Sequence, residues 1–154
     1  MRTVLFGLGL ALVGCGGITP MSGDYDGTLT LTADSCGMFE DAEVGDPEDF
    51  VSNIVFNEDG SVVFADADDG LECTADGAIV TCSYTSIPTE DEADDPFDGL
   101  VEEGAIELVW DSNTSFTGWQ TLSLDCEGAD CSVLEDYGYS FPCSIEWDLV
   151  GSMA

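Results

Sequence analysis

Residues 105–124 read AIELVWDSNTSFTGWQTLSL, and this stretch decides the fold class. Ile106, Leu108 and Trp110 alternate with Glu107 and Val109, the two-residue period of a strand with one face in a core. Asp111-Ser112-Asn113-Thr114 follows, a run of residues whose short polar side chains bond their own backbone and favour turns. Alternation resumes over Ser115–Leu124 with Phe116, Leu122 and Leu124 on one face. The stretch is a β-hairpin.

The same grammar extends in both directions. Strands are predicted at Tyr25–Ala33, Phe50–Phe56, Ser61–Ala65, Leu71–Thr74 and Ala78–Thr85, then Ala105–Asp111, Ser115–Leu124 and Phe141–Val150. Leu29 and Leu31 oppose Thr28, Thr30 and Thr32; Ile145, Trp147 and Leu149 oppose Glu146 and Asp148. Asn57-Glu58-Asp59-Gly60 and Asp76-Gly77 supply further hairpin turns. No long helical period follows residue 20. The pattern gives an all-β protein, an antiparallel meander of about eight strands closed as an up-and-down barrel or folded as a β-sandwich. Residues 24–154 form a single acidic domain carrying an acidic loop at 89–103.

The opening Ser22-Gly23-Asp24-Tyr25-Asp26-Gly27 loosely resembles the first strand of lipocalin-like barrels, although that family's Gly-x-Trp signature is absent and Tyr25 is the nearest aromatic. The resemblance implies closure of the first strand on the last, near Ile145–Val150. It also implies a carrier of a small apolar ligand, with core-face aromatics lining a cavity.

The N-terminus reads as an address. MRTVLFGLGLALVG has one cation, Arg2, ahead of an uncharged apolar run too short to span a bilayer. Leu12-Val13-Gly14-Cys15 resembles the bacterial lipobox, with Leu at −3, a small residue at −1 and Cys at +1. That resemblance implies a signal peptide over residues 1–14, acylation of Cys15 and attachment to the membrane through its acyl chains. Gly16 and Gly17, where inner-membrane retention would call for Asp, imply the outer membrane. Residues 15–23 then form the lipidated Cys and a flexible tether.

Assigning Cys15 to lipid leaves Cys36, Cys73, Cys82, Cys126, Cys131 and Cys143, an even set for disulfides in an oxidising compartment. Cys126 and Cys131 are close enough to close a local loop. A two-residue turn at Asp76-Gly77 places Cys73 and Cys82 diagonally on adjacent strands. Cys36 and Cys143 need distant partners or one another.

Charge sets the exclusions. Thirty-three carboxylates face one Lys or Arg and no His, for a formal net charge of −32. Loss of Arg2 with the leader removes the last side-chain cation. Nucleic-acid binding, a P-loop and His-dependent nucleophilic or zinc chemistry are thereby excluded. With 44% hydrophobic residues, the chain is still too apolar for a disordered acidic tail.

Of the chemistry that carboxylates can carry, Ca²⁺ binding by Asp94, Asp95 and Asp98 is one candidate. The EF-hand pattern fails there, because alignment on Gly99 puts Pro96 and Ala105 at ligand positions. A solvated loop is the plain alternative, with no cofactor at all. Acid–base catalysis by a carboxylate pair, as in glycosidases, finds no pair singled out by spacing.

Trp110 and Trp147 follow the core face. Trp119 is out of phase with Phe116, Leu122 and Leu124, which puts it on the outer face unless a bulge near Gly118 turns it inward. Tyr137 and Tyr139 are further contact candidates. The expected function is a non-enzymatic envelope lipoprotein, periplasmic or surface-facing, that meets cationic or glycan partners.

Overall fold

The computed structural model describes residues 17–37, 44–65, 71–86, 100–127, 131–136 and 138–154. They form a closed antiparallel barrel of eight strands in simple up-and-down order. The strands are β1 (Gly23–Asp34), β2 (Pro47–Phe56), β3 (Ser61–Phe64) and β4 (Glu72–Asp76). After them come β5 (Ile79–Ser86), β6 (Leu100–Trp110), β7 (Ser115–Cys126) and β8 (Cys143–Met153). Closure pairs β1 with β8 from Tyr25↔Met153 to Asp34↔Ile145, with one register shift between Leu31 and Ala33. The barrel, not the sandwich, satisfies the meander, because closure leaves no strand edge unpaired.

Two sequence expectations change. The β4–β5 ladder pairs Asp76 with Ile79, so the two turn residues are Gly77 and Ala78, one position later than expected. Gly77 takes φ +62°, which a Cβ would oppose. That one-residue shift sets Cys73 directly opposite Cys82 instead of diagonal to it, and the two are disulfide-bonded with Cα atoms 4.0 Å apart. The acidic loop is also shorter than read: β6 begins at Leu100, so Val101, Glu102 and Glu103 belong to a strand. Leu100, Gly104, Leu108 and Trp110 keep the inward phase there, and Glu102-Glu103 had hidden it. A short helix, α1 (Cys131–Asp136), lies in the β7–β8 connection.

One end of the barrel is closed by an aromatic plug. Trp110 lies 4.8 Å from Phe116 and 5.3 Å from Phe56 between ring centroids, with Tyr25 edge-on at 6.2 Å. Ile54, Val62, Val80, Leu108, Leu149 and the Cys73–Cys82 pair complete this cluster. Its rim carries the short turns β2–β3, β4–β5 and β6–β7. The residues ahead of β1 are held against it: Ile18 packs on the cluster, and Met21 N–H donates to the Asn113 carbonyl at 3.0 Å. Tyr25 O–H donates to the Met21 carbonyl at 2.7 Å, and Phe56 N–H to Ser22 Oγ at 2.9 Å. Residues 18–22 thus lie along the barrel end.

The opposite end holds a second cluster, Leu31, Cys36, Leu124, Cys143 and Ile145, with Leu122, Phe141 and Trp147 against it. All four longer connections emerge there. Cys36–Cys143 ties the β1 exit to the β8 entry, and Cys126–Cys131 closes the local loop.

Inward-facing glycines let bulky neighbours lie flat across the wall. Gly27, Gly104, Gly118 and Gly151 stand directly opposite Phe50, Tyr84, Leu108 and Phe116. A Cβ built on Gly104 would overlap the Tyr84 ring, and one on Gly118 the Glu107 backbone carbonyl.

Candidate outer-wall contact site

The β6–β7–β8 wall is set by continuous register. Trp119 on β7 stands directly opposite Glu107 on β6 and Asp148 on β8. No bulge interrupts either ladder, so Trp119 keeps the outward phase and is 41% exposed. One step along, Thr117 is flanked by Val109 and Val150, which are 39% and 53% exposed. Ile79 on β5 pairs with Val109 and extends the apolar strip by one strand.

Directly opposed side chains in a sheet have Cβ atoms roughly 5 Å apart and diagonal ones roughly 7–8 Å apart. Trp119, Val109 and Val150 are therefore close enough to be covered by one partner segment. Glu107 and Asp148 bracket the indole, with Glu146 one step further along β8 opposite Thr121. The arrangement is an apolar centre in an anionic frame.

Beyond Val150 the wall dips where Gly27 and Gly151 face one another across β1 and β8. The resulting concavity, about 420 Å³, is lined by Asp26, Thr28, Asp49, Ser115, Thr117 and Ser152 among others. Asp111, at its margin, accepts a hydrogen bond from Ser115 Oγ and so helps fix the β6–β7 turn.

The other sequence candidates fall elsewhere. Cys15 and the proposed Ca²⁺ ligands Asp94, Asp95 and Asp98 lie outside the described residues, as does Tyr137. Among the described residues, no group of three or more His, Cys, Asp or Glu is placed to hold a metal ion. Trp110 is buried in the plug and Trp147 packs on the second cluster. Tyr139 stacks at a tilt on Phe141, 6.4 Å between ring centroids, near the long-loop end. The phase of Trp119 was readable in sequence. Its grouping with Val109 and Val150 was not, because cross-strand neighbours depend on register.

No family model, no curated protein and no solved structure matches the chain. Functional assignment therefore rests on the geometry of the barrel and its wall.

Proposed function

We propose that this chain is a non-enzymatic interaction module of the cell envelope, held at the membrane by acyl chains on Cys15 and meeting partners through its outer wall. The observation that carries the reading is the inside-out contrast of the aromatics: Trp110, Tyr25 and Phe116 fill the barrel end, while Trp119 stands outside. Large aromatics exposed on a sheet face are typical anchors of protein contacts.

The wall also bears on how the membrane is met. Barrels that cross bilayers turn apolar residues outward and polar ones inward. Here the buried clusters fill the interior, and the outward positions mix the carboxylates Asp24, Asp26, Glu103, Glu107, Glu146 and Asp148 with exposed apolar residues such as Val109 and Val150. Attachment through a lipid, not through the strands, fits that polarity.

The lipobox-like Leu12-Val13-Gly14-Cys15 supports the anchor, and Gly16-Gly17 supports the outer membrane. Only those two glycines separate Cys15 from Ile18, which packs on the plugged end. The three steps from Cys15 to Ile18 reach about 11 Å at most. The plugged end accordingly faces the membrane, and the long-loop end points away from it. Palmitate labelling of the whole protein tests the anchor: incorporation is expected, and loss of it in Cys15→Ala. Labelling that survives the substitution would refute it.

A second reading is a lipocalin-like carrier. Its support is the eight-stranded up-and-down topology together with inward-phase side chains that are only partly buried, such as Phe50, Ile106 and Leu122.

A further inference from the structure

The wall around Trp119 has a composition that selects its occupant, and we infer that it binds a segment of another protein in which Lys or Arg and apolar residues share one face. This inference rests on the outer-wall reading above and names the partner class of that surface. Three features of the wall converge on it. First, the apolar centre of Trp119, Val109 and Val150 is too spread for a simple ion and needs aliphatic contact from a polypeptide.

Second, Glu107 and Asp148 bracket the indole on both neighbouring strands. A cation laid over the indole face gains the ring quadrupole and two carboxylates together, a combination best used by Lys or Arg. A neutral sugar stacked there donates its hydroxyls to the same carboxylates but leaves their two charges uncompensated, which a cation does not.

Third, charge excludes the rival occupants. A chain with a net charge of −32 repels a second copy of itself, nucleic acid and anionic lipid headgroups alike. A basic segment is drawn to it instead, and its encounter rate gains from the long-range field.

The binding register follows from the sheet. A partner lying across β6, β7 and β8, with both kinds of side chain on the face turned to the wall, seats apolar ones on Val109 and Val150 and a cationic one over Trp119. Removing the indole should weaken binding roughly tenfold or more, as for a central aromatic anchor. Removing the two carboxylates should weaken binding and flatten its salt dependence.

The test is a titration of the mature protein with an eight-residue peptide of repeated Lys-Lys-Val-Val, which presents both residue types on each face when extended, followed by calorimetry at low and moderate salt. A Glu/Val peptide of the same pattern and chito-oligosaccharide serve as comparison ligands. Expected are binding of the Lys/Val peptide alone, loss of about tenfold in affinity in Trp119→Ala, and a shallower salt dependence in Glu107→Gln/Asp148→Asn. All three positions are on the outer wall, so each variant is expected to keep the fold, which circular dichroism checks.

Failure of the peptide to bind at low salt overturns the inference, as does preferential binding of the oligosaccharide. Binding that ignores all three substitutions overturns the assignment to this wall but leaves the interaction-module reading standing. That broader reading fails on a different result, an apolar molecule resident in the barrel.

Discussion

Asp59 shows how a single exposed residue holds a turn in a chain without internal cations. Its Oδ1 accepts hydrogen bonds from Ser61 Oγ at 2.7 Å and from Ser61 N–H at 3.0 Å, while Gly60 takes φ +87°. Those bonds, the side-chain one foremost, lower the Asp59 pKa from its ordinary value. The depressed pKa means that the turn's contribution is complete above the unfolded-state pKa and is lost as pH falls through the folded one. Asp59→Asn is expected to remove that acid-side component, so the variant and wild type converge in stability at the lowest pH. An unchanged difference between them across the acid range would contradict it. Gly118 makes a separate prediction. A methyl group there meets the Glu107 backbone carbonyl, which cannot rotate away as a side chain can. Gly118→Ala should cost about 1–3 kcal/mol, read from the urea midpoint. An unmoved midpoint would show that the wall yields.

At the scale of elements, the disulfides divide by what they close. Cys36–Cys143 spans 107 residues and joins the two strands that seal the barrel, whereas Cys126–Cys131 spans 5. Chain-entropy arithmetic gives about 5 kcal/mol for the long closure and about 2 kcal/mol for the short one. Replacing Cys36 and Cys143 together by Ala should therefore lower stability more than replacing Cys126 and Cys131. Equal losses in denaturant unfolding would contradict this ordering. Strand alternation made most of these elements readable, from Ile106-Leu108-Trp110 through Ile145-Trp147-Leu149. What escaped was fixed by pairing, not by local pattern. The turn at Gly77-Ala78 is selected by the β4–β5 ladder, and the start of β6 by Leu100 packing inward behind two glutamates. Helix α1 has six residues, too few to show a period. Closure of β1 on β8 was expected near Ile145–Val150 and runs from Ile145 to Met153.

The whole molecule is a closed barrel with a charge that opposes its own compactness. Its carboxylates repel one another most strongly at low ionic strength, and added salt screens that repulsion. The melting temperature is expected to climb as NaCl rises from about 10 mM to about 300 mM, a range over which the screening length shortens several-fold. A melting temperature indifferent to salt would mean that the charges are spaced beyond mutual effect. On the proposed reading, the same anionic field keeps copies apart and draws cationic segments to the wall around Trp119.

The central distinction is between a barrel that works from its wall and one that works from its interior. It is resolved by native mass spectrometry of the protein extracted from the cells that make it. The expected mass is that of the polypeptide from Cys15 with its acyl chains and three disulfides, and nothing held non-covalently. A stoichiometric apolar molecule, retained until the barrel unfolds, would make the protein a carrier and contradict the wall-based reading.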